Sequence, residues 1–164
     1  MSDSKIYEPL LDVENVLGIL NRISIFAGLT ENQLYKLFRQ LEEVSYQKDE
    51  LVFRQGDMPS YIYIVKSGRV KLFKEQDHTI LELIVLDEGH CFGVSSIIGI
   101  QQHGASALAM ENTSLIVFSR KTLMNLYEND KELFSVLILN IAREICRRLH
   151  SSEEVLLRYL AMKK

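Results

Sequence analysis

The segment Asp87-Glu88-Gly89-His90-Cys91-Phe92-Gly93-Val94-Ser95-Ser96 combines residue types that suit the gripping of an anion. Gly89 and Gly93 let a backbone turn take positive φ and come close to a ligand. The segment leads into a helix start, where unpaired backbone N–H groups attract negative charge. Ser95 and Ser96 offer hydroxyls, either to a ligand or to the cap of that helix. Further on, Gln101-Gln102-His103 reads as a polar, solvent-exposed loop whose histidine is partly charged near neutral pH.

Other chemistries are not signalled. There is no Cys-x-x-Cys and no Cys/His pair at finger spacing, so no metal site is expected. Cys91 and Cys146 read as free thiols in a reducing cytoplasm. Nucleophile elbow, Walker loop and metalloprotease helix are all lacking. The carboxylate pairs Glu42-Glu43 and Glu153-Glu154 fall on predicted helix surfaces. The residues make no case for an enzyme.

A chain of 164 residues, 47% hydrophobic, suits one domain or one domain plus a long helix. A net charge of −3 weighs against nucleic-acid binding by the chain as a whole. The N-terminus has no apolar signal core, and no window approaches the roughly 18 apolar residues of a membrane span. The expectation is a soluble, cytoplasmic protein with no membrane partner.

Patterning locates the elements that must position the turn. Residues 10–29 are helical in places, with Gly28 as a stop. Thr30-Glu31-Asn32-Gln33 reads as a capping box, followed by Leu34, Leu37, Phe38 and Leu41 on one helix face. After Glu43 the period becomes two. Residues 44–47, 51–53, 62–65, 70–73, 81–86, 108–110 and 115–118 read as strands separated by turn signals. Many short strands without interleaved long helices predict a sandwich or barrel, not a parallel sheet.

Ser119 caps a further helix, and Asn129 or Asp130 caps a long one reaching to about residue 160. The domain reading is therefore 1–128 for helices and β-body, and 129–164 for the long helix. Ile138, Ala142, Ile145, Leu149, Ser152, Leu156 and Tyr159 recur at alternating steps of four and three, a coiled-coil seam with Ser152 as its exception. Phe134, Leu137 and Ile141 lie off that line and are placed to pack on the β-body. Arg143, Arg147 and Arg148 read as a solvated basic face balanced by Glu144 and Glu153.

These residues resemble the cyclic nucleotide-binding domain of the catabolite-activator and fumarate-nitrate (CRP/FNR) regulators. The matching stretches are Phe26-x-Gly28-Leu29-Thr30, Phe53-x-Gln55-Gly56-Asp57 and Ile62-Tyr63-Ile64-Val65-x-Ser67-Gly68-x-Val70-x-Leu72. Gly89-x-x-Phe92-Gly93 and Ala109-x-Glu111-x-x-x-Leu115-Ile116-Val117 complete the pattern. The resemblance spans about residues 20 to 150. It implies a mostly β fold with flanking helices: a double-stranded β-helix (jelly-roll β-roll) plus a long C-terminal dimerisation helix.

It also implies a ligand-sensing, non-enzymatic homodimer with a small-molecule effector. The candidate ligand residues are Gly89, Phe92, Gly93, Val94, Ser95, Ser96, His103, Gly104, Ala105 and Ser106. In such domains Phe-Gly is usually followed by Glu, which holds the ribose; here Val94 stands there. An Arg usually pairs the cyclic phosphate; here His103 stands there, with Gly104 in place of the small hydroxyl residue. Losing the cation beside a buried phosphate costs about 3–5 kcal/mol, a hundred-fold or more in affinity. Conventional tight binding of cyclic AMP is therefore not expected.

Two alternatives go with this pattern. Some relatives sense gas through haem, and His90-Cys91 beside the ligand turn would supply axial ligands. The other is a ligandless dimeric scaffold whose pocket is filled by Val94, Ile97 and Ile98. The family's DNA-binding helix-turn-helix is not within this chain, which reads either as a stand-alone sensor or as the sensor part of a longer regulator.

Overall fold

The computed structural model describes residues 5–11, 13–19 and 22–162. A short strand β1 (Glu8–Pro9), helix α1 (Val13–Ile19), a 3-10 turn (Ser24–Phe26) and helix α2 (Glu31–Phe38) come first. The β-body follows as β2 (Glu42–Tyr46), β3 (Leu51–Phe53), β4 (Tyr61–Ser67), β5 (Val70–Gln76), β6 (Thr79–Leu86) and β7 (Cys91–Phe92). Helix α3 (Val94–Gly99) interrupts it before β8 (Ser106–Ala109) and β9 (Thr113–Ser119). Helices α4 (Arg120–Asn129) and α5 (Lys131–Met162) close the chain.

Two antiparallel sheets face each other, in the orders β1-β2-β9-β4-β7 and β3-β8-β5-β6. This is the expected jelly roll with a long C-terminal helix. Its two cores follow from strand periodicity, because alternate side chains leave opposite faces of a sheet. Along β4, Ile62 and Ile64 join a cluster under the helices, whereas Tyr63 and Val65 join a cluster between the sheets. On β9, Ile116 and Phe118 divide from Leu115 and Val117 in the same way. A strand covered on both sides must be apolar at nearly every position, as these two are.

The capping box forms as expected. Gln33 N–H donates to Thr30 Oγ1 at 3.3 Å, and the Thr30 N–H donates back to Gln33 Oε1 at 2.9 Å. Helix α2 stops at Phe38, earlier than its apolar pattern suggested. Glu42 and Glu43 consequently lie on strand β2 and not on a helix surface, which corrects that expectation. Glu43 is held there by Lys66 Nζ at 2.8 Å and by the Ser114 hydroxyl. Ser119 caps α4 through the Thr122 N–H at 3.0 Å, and Asp130 caps α5 through the Leu133 N–H at 3.2 Å.

Helix α5 docks on the body through Leu133, Leu137 and Ile141, all buried, with Phe134 partly buried beside them. Asn140, an apparent flaw in that apolar run, is a tie: its Nδ2 donates to the Ile25 carbonyl at 3.1 Å and the Ala27 carbonyl at 2.7 Å. The seam divides differently from its heptad reading. Ile138 and Ile145 pack partly against the body, while Ala142, Leu149 and Leu156 stay exposed. Leu139, Cys146 and Leu160 are exposed too and continue the same outward line. The side chain of Tyr159 lies outside the described residues. None of the described helices is long and apolar enough to cross a membrane.

Candidate functional site

The lip turn is built by glycine. Gly93 (φ 75°) is the N-cap of α3, and a Cβ there would stand 2.9 Å from the Tyr61 carbonyl oxygen and 3.2 Å from Tyr63 Cδ2. At Gly89 a Cβ would meet Arg22 Cβ at 2.5 Å. The close approach that demands glycine is thus to the protein's own chain.

On β7 the two side chains leave by opposite faces, and helix α3 then begins at Val94. Cys91 and Val94 enter the core under the helices, and Phe92 enters the core between the sheets. Burial pushes the Cys91 thiol up to about 11, partly offset by the Arg148 charge, so it stays protonated at neutral pH. His90 is exposed. No group of three His, Cys, Asp or Glu side chains suited to a metal ion occurs among the described residues.

Between the lip and α5 lies a cavity of about 630 Å³. Six of the ten sequence candidates line it: Gly93, Ser95, Ser96, His103, Gly104 and Ala105. The other four stand behind it. Gly89 holds the turn by donating its N–H to the Val65 carbonyl at 2.8 Å. Phe92 and Val94 are core residues, and the Ser106 hydroxyl accepts from the Gln55 N–H at 2.9 Å.

His103 is the main departure from the sequence reading. Its loop looked solvated, but the ring is 4% exposed and stacks on Phe53 at 3.6 Å and 7°. Two backbone bonds pull it in: Gly56 N–H to the His103 carbonyl at 2.8 Å, and His103 N–H to the Asp57 carbonyl at 2.9 Å. Burial lowers its pKa below the ordinary value, and Asp57 opposes this only in part. The imidazole is therefore neutral at pH 7. Phe53 continues the ring packing to Phe92 at 5.9 Å, and Phe92 stacks on Tyr63 at 5.0 Å.

Several lining residues escaped the sequence reading. Leu72, Lys74 and Leu81 to Ile84 come from the β5–β6 hairpin, and Arg148, Ser151, Ser152 and Val155 come from α5. Arg148 is not on a solvated face. Its Nε donates to Glu144 Oε1 at 3.0 Å, and an Nη donates to the Cys91 carbonyl. Burial raises the pKa of Glu144, but hydrogen bonds from Arg147 and Ser24 and the charge of Arg148 outweigh it and hold the carboxyl below its ordinary range. Ser152, the polar exception in the seam, belongs to the cavity wall and donates to the Arg148 carbonyl at 2.9 Å. One signal was available: Arg148 and Val155 continue Phe134 and Ile141 at heptad intervals, so they share the body-facing stripe.

A volume of this size falls within the range of small-molecule pockets, about 300–1,000 Å³. Its chemistry is mixed: an aromatic platform, an aliphatic wall, hydroxyls and two cations. Residues 43–130 match the family model described as cyclic nucleotide-binding domain. The chain belongs to that family.

Among curated relatives, this domain is 28% identical over 133 residues to the "Cyclic AMP receptor protein" of Thermus thermophilus, covering 79% of this chain and 58% of the relative. It is 30% identical over 112 residues to human "cGMP-dependent protein kinase 2", covering 66% of this chain and 15% of the kinase. The chain thus spans less than two thirds of each. Among solved structures, the Thermus thermophilus catabolite activator protein superposes with a TM-score of 0.73 at 27% identity, over 84% of this chain and 63% of that one. A cyclic nucleotide-binding domain from Methylobacillus flagellatus reaches 0.83 at 21% identity over 95% of this chain and 88% of that one, a likeness of fold.

Proposed function

We propose that this domain is the non-enzymatic ligand-sensing part of a regulator of the catabolite-activator and fumarate-nitrate type. It takes a small molecule in the cavity and reports occupancy through α5 in a symmetric dimer. The observation that carries the reading is that one cavity is lined both by the lip (Gly93, Ser95 and Ser96) and by α5 (Arg148, Ser151, Ser152 and Val155). A ligand touching both biases the placement of the helix, which is a population shift between dimer arrangements.

Two further observations support it. Leu139, Leu149, Leu156 and Leu160 leave an apolar line exposed along α5. Edge strand β6 exposes Ile80, Leu81, Leu83, Ile84 and Val85, apolar on both faces. An edge of that kind is a liability unless something covers it. Conventional tight cyclic AMP binding is not part of the proposal. Val94 is buried in the helix-side core, and His103 is neutral, so neither supplies the usual clamp.

The haem alternative is not favoured, because Cys91 faces the core as a protonated thiol. A scaffold with a filled pocket is not favoured either, because Val94 and Ile97 pack in the core while the cavity persists beside them. Light scattering after size exclusion tests the dimer. The expected result is twice the 18.9 kDa chain mass at micromolar concentration, and a monomer for Leu149→Glu with Leu156→Glu. A monomeric wild type sinks the dimer reading. Calorimetric binding of cyclic AMP at micromolar affinity or tighter would overturn the departed clamp.

A further inference from the structure

We infer that Cys146 and His150 of α5 form one half of a tetrahedral zinc site, which a second copy of the chain completes with the same two residues. The inference rests on the dimer proposed above, paired in parallel along α5, and adds to it a metal ion held between the two helices.

The two residues stand four apart on one helix and so share a face, about 5–6 Å apart at Cβ. That spacing lets two side chains grip a single ion from successive turns, as paired histidines do in metalloprotease helices. Both are exposed, Cys146 as a free thiol and the His150 side chain at 86%. His150 is already oriented. Its Nδ1 stands 3.5 Å from Glu153 Oε2, which leaves Nε2 for a metal. A carboxylate on the other ring nitrogen is the usual support of a metal-binding imidazole. The cations of this stretch are drawn aside: Arg143 to the Asn140 amide oxygen at 3.2 Å, Arg147 to Glu144 at 2.6 Å and Arg148 to Glu144 at 3.0 Å.

One chain cannot fill the site. Two donors leave half of a tetrahedral shell to water, and no metal-binding group of three His, Cys, Asp or Glu occurs among the described residues. Pairing supplies the rest. Cys146 follows Leu139 by one heptad and precedes Leu149, Leu156 and Leu160 on the exposed apolar line. In a parallel pair each residue of such a line faces its own copy across the two-fold axis. Cys146 and His150 therefore arrive in duplicate, and two thiolates with two imidazoles are a donor set of tetrahedral zinc. Each thiol gives its proton to solvent as its Sγ binds. The buried Cys91 takes no part. A seam thiol that only packs, as a small apolar group does, gives none of the metal signatures.

Cobalt(II) and zinc titration of the full chain, stripped of metal with a chelator and kept reduced with a phosphine, tests this. Cobalt is expected to give the visible bands of a tetrahedral ion and thiolate charge transfer in the near ultraviolet, saturating at one ion per two chains and bleached by zinc. Cys146→Ser and His150→Ala abolish these signals and Cys91→Ala keeps them. Glu153→Gln weakens cobalt binding about tenfold with the charge-transfer band unchanged. Zinc at about ten times its dissociation constant tightens dimerisation about tenfold, because only the dimer holds the whole site. A dimer by light scattering that shows no charge-transfer band, or that keeps the band in Cys146→Ser, overturns the inference and leaves the dimer standing. Saturation at one ion per chain, or the same bands in the monomeric variant with Leu149→Glu and Leu156→Glu, overturns it equally. A chain that is monomeric with and without zinc removes the dimer reading, and this inference with it.

Discussion

Replacing Gly93 by alanine separates the two reasons a glycine stands at the lip. The backbone there has φ 75°, a left-handed conformation that costs an L-residue about 1–2 kcal/mol. The added methyl would also sit 2.9 Å from the Tyr61 carbonyl oxygen and 3.2 Å from Tyr63 Cδ2. Neither neighbour can retreat easily. Strand β4 is hydrogen-bonded to β9 on one side and β7 on the other, and Tyr63 is stacked on Phe92. Forcing one methyl into such packing costs about 1–3 kcal/mol. The expected loss is therefore about 2–5 kcal/mol, a large part of the roughly 5–15 kcal/mol that holds a domain together.

Two other glycines are internal controls. Gly28 has the same φ of 75° with nothing within 4 Å of its Cβ position, so alanine there carries only the conformational cost of about 1–2 kcal/mol. Gly104 lines the cavity at an ordinary φ with open space around it, so alanine is neutral or stabilises by up to about 1 kcal/mol. Urea unfolding followed by circular dichroism gives all three on one scale, provided the slope against denaturant is unchanged. Equal losses at Gly93 and Gly28 would refute the packing of the lip against β4.

Asn140→Ala removes the donor that two chain carbonyls share under α5, those of Ile25 and Ala27. The expected loss is about 2–4 kcal/mol in the same urea assay, because buried acceptors are left unpaired; a loss below about 1 kcal/mol would show that water replaces the tie. His103 makes stability depend on pH. Its folded pKa lies below the ordinary 6.5, so on acidification the unfolded chain takes up the proton first. Stability is full above pH 6.5 and falls as pH drops from there toward the folded value. Thermal melts between pH 8 and pH 5 are expected to lose that slope in His103→Phe, which keeps the ring stack on Phe53; an unchanged slope would place its cause elsewhere.

What the residues alone determined is mostly local or periodic. The Thr30–Gln33 box and the Ser119 and Asp130 caps need no distant partner, and the strands at 51–53 and 62–65 are legible from local patterning although each pairs with a strand remote in sequence. The double coverage of β4 and β9 is written in unbroken apolar runs. The glycine spacing placed the lip. Neighbours remote in sequence decided the rest. Asp57 and Gly56 draw His103 into the body, although Gln101 and Gln102 beside it mark a solvated loop. The Cys91 carbonyl turns Arg148 from a surface cation into a wall of the cavity. A heptad pattern says that residues share a face of a helix, but not which face meets the body. That depends on where α5 docks, and docking put Ile138 and Ile145 against the body and left Leu139 and Cys146 outside. A side chain's partner across the fold is fixed only when the whole chain has closed, which is why the lip was legible in advance and the charge that faces it was not.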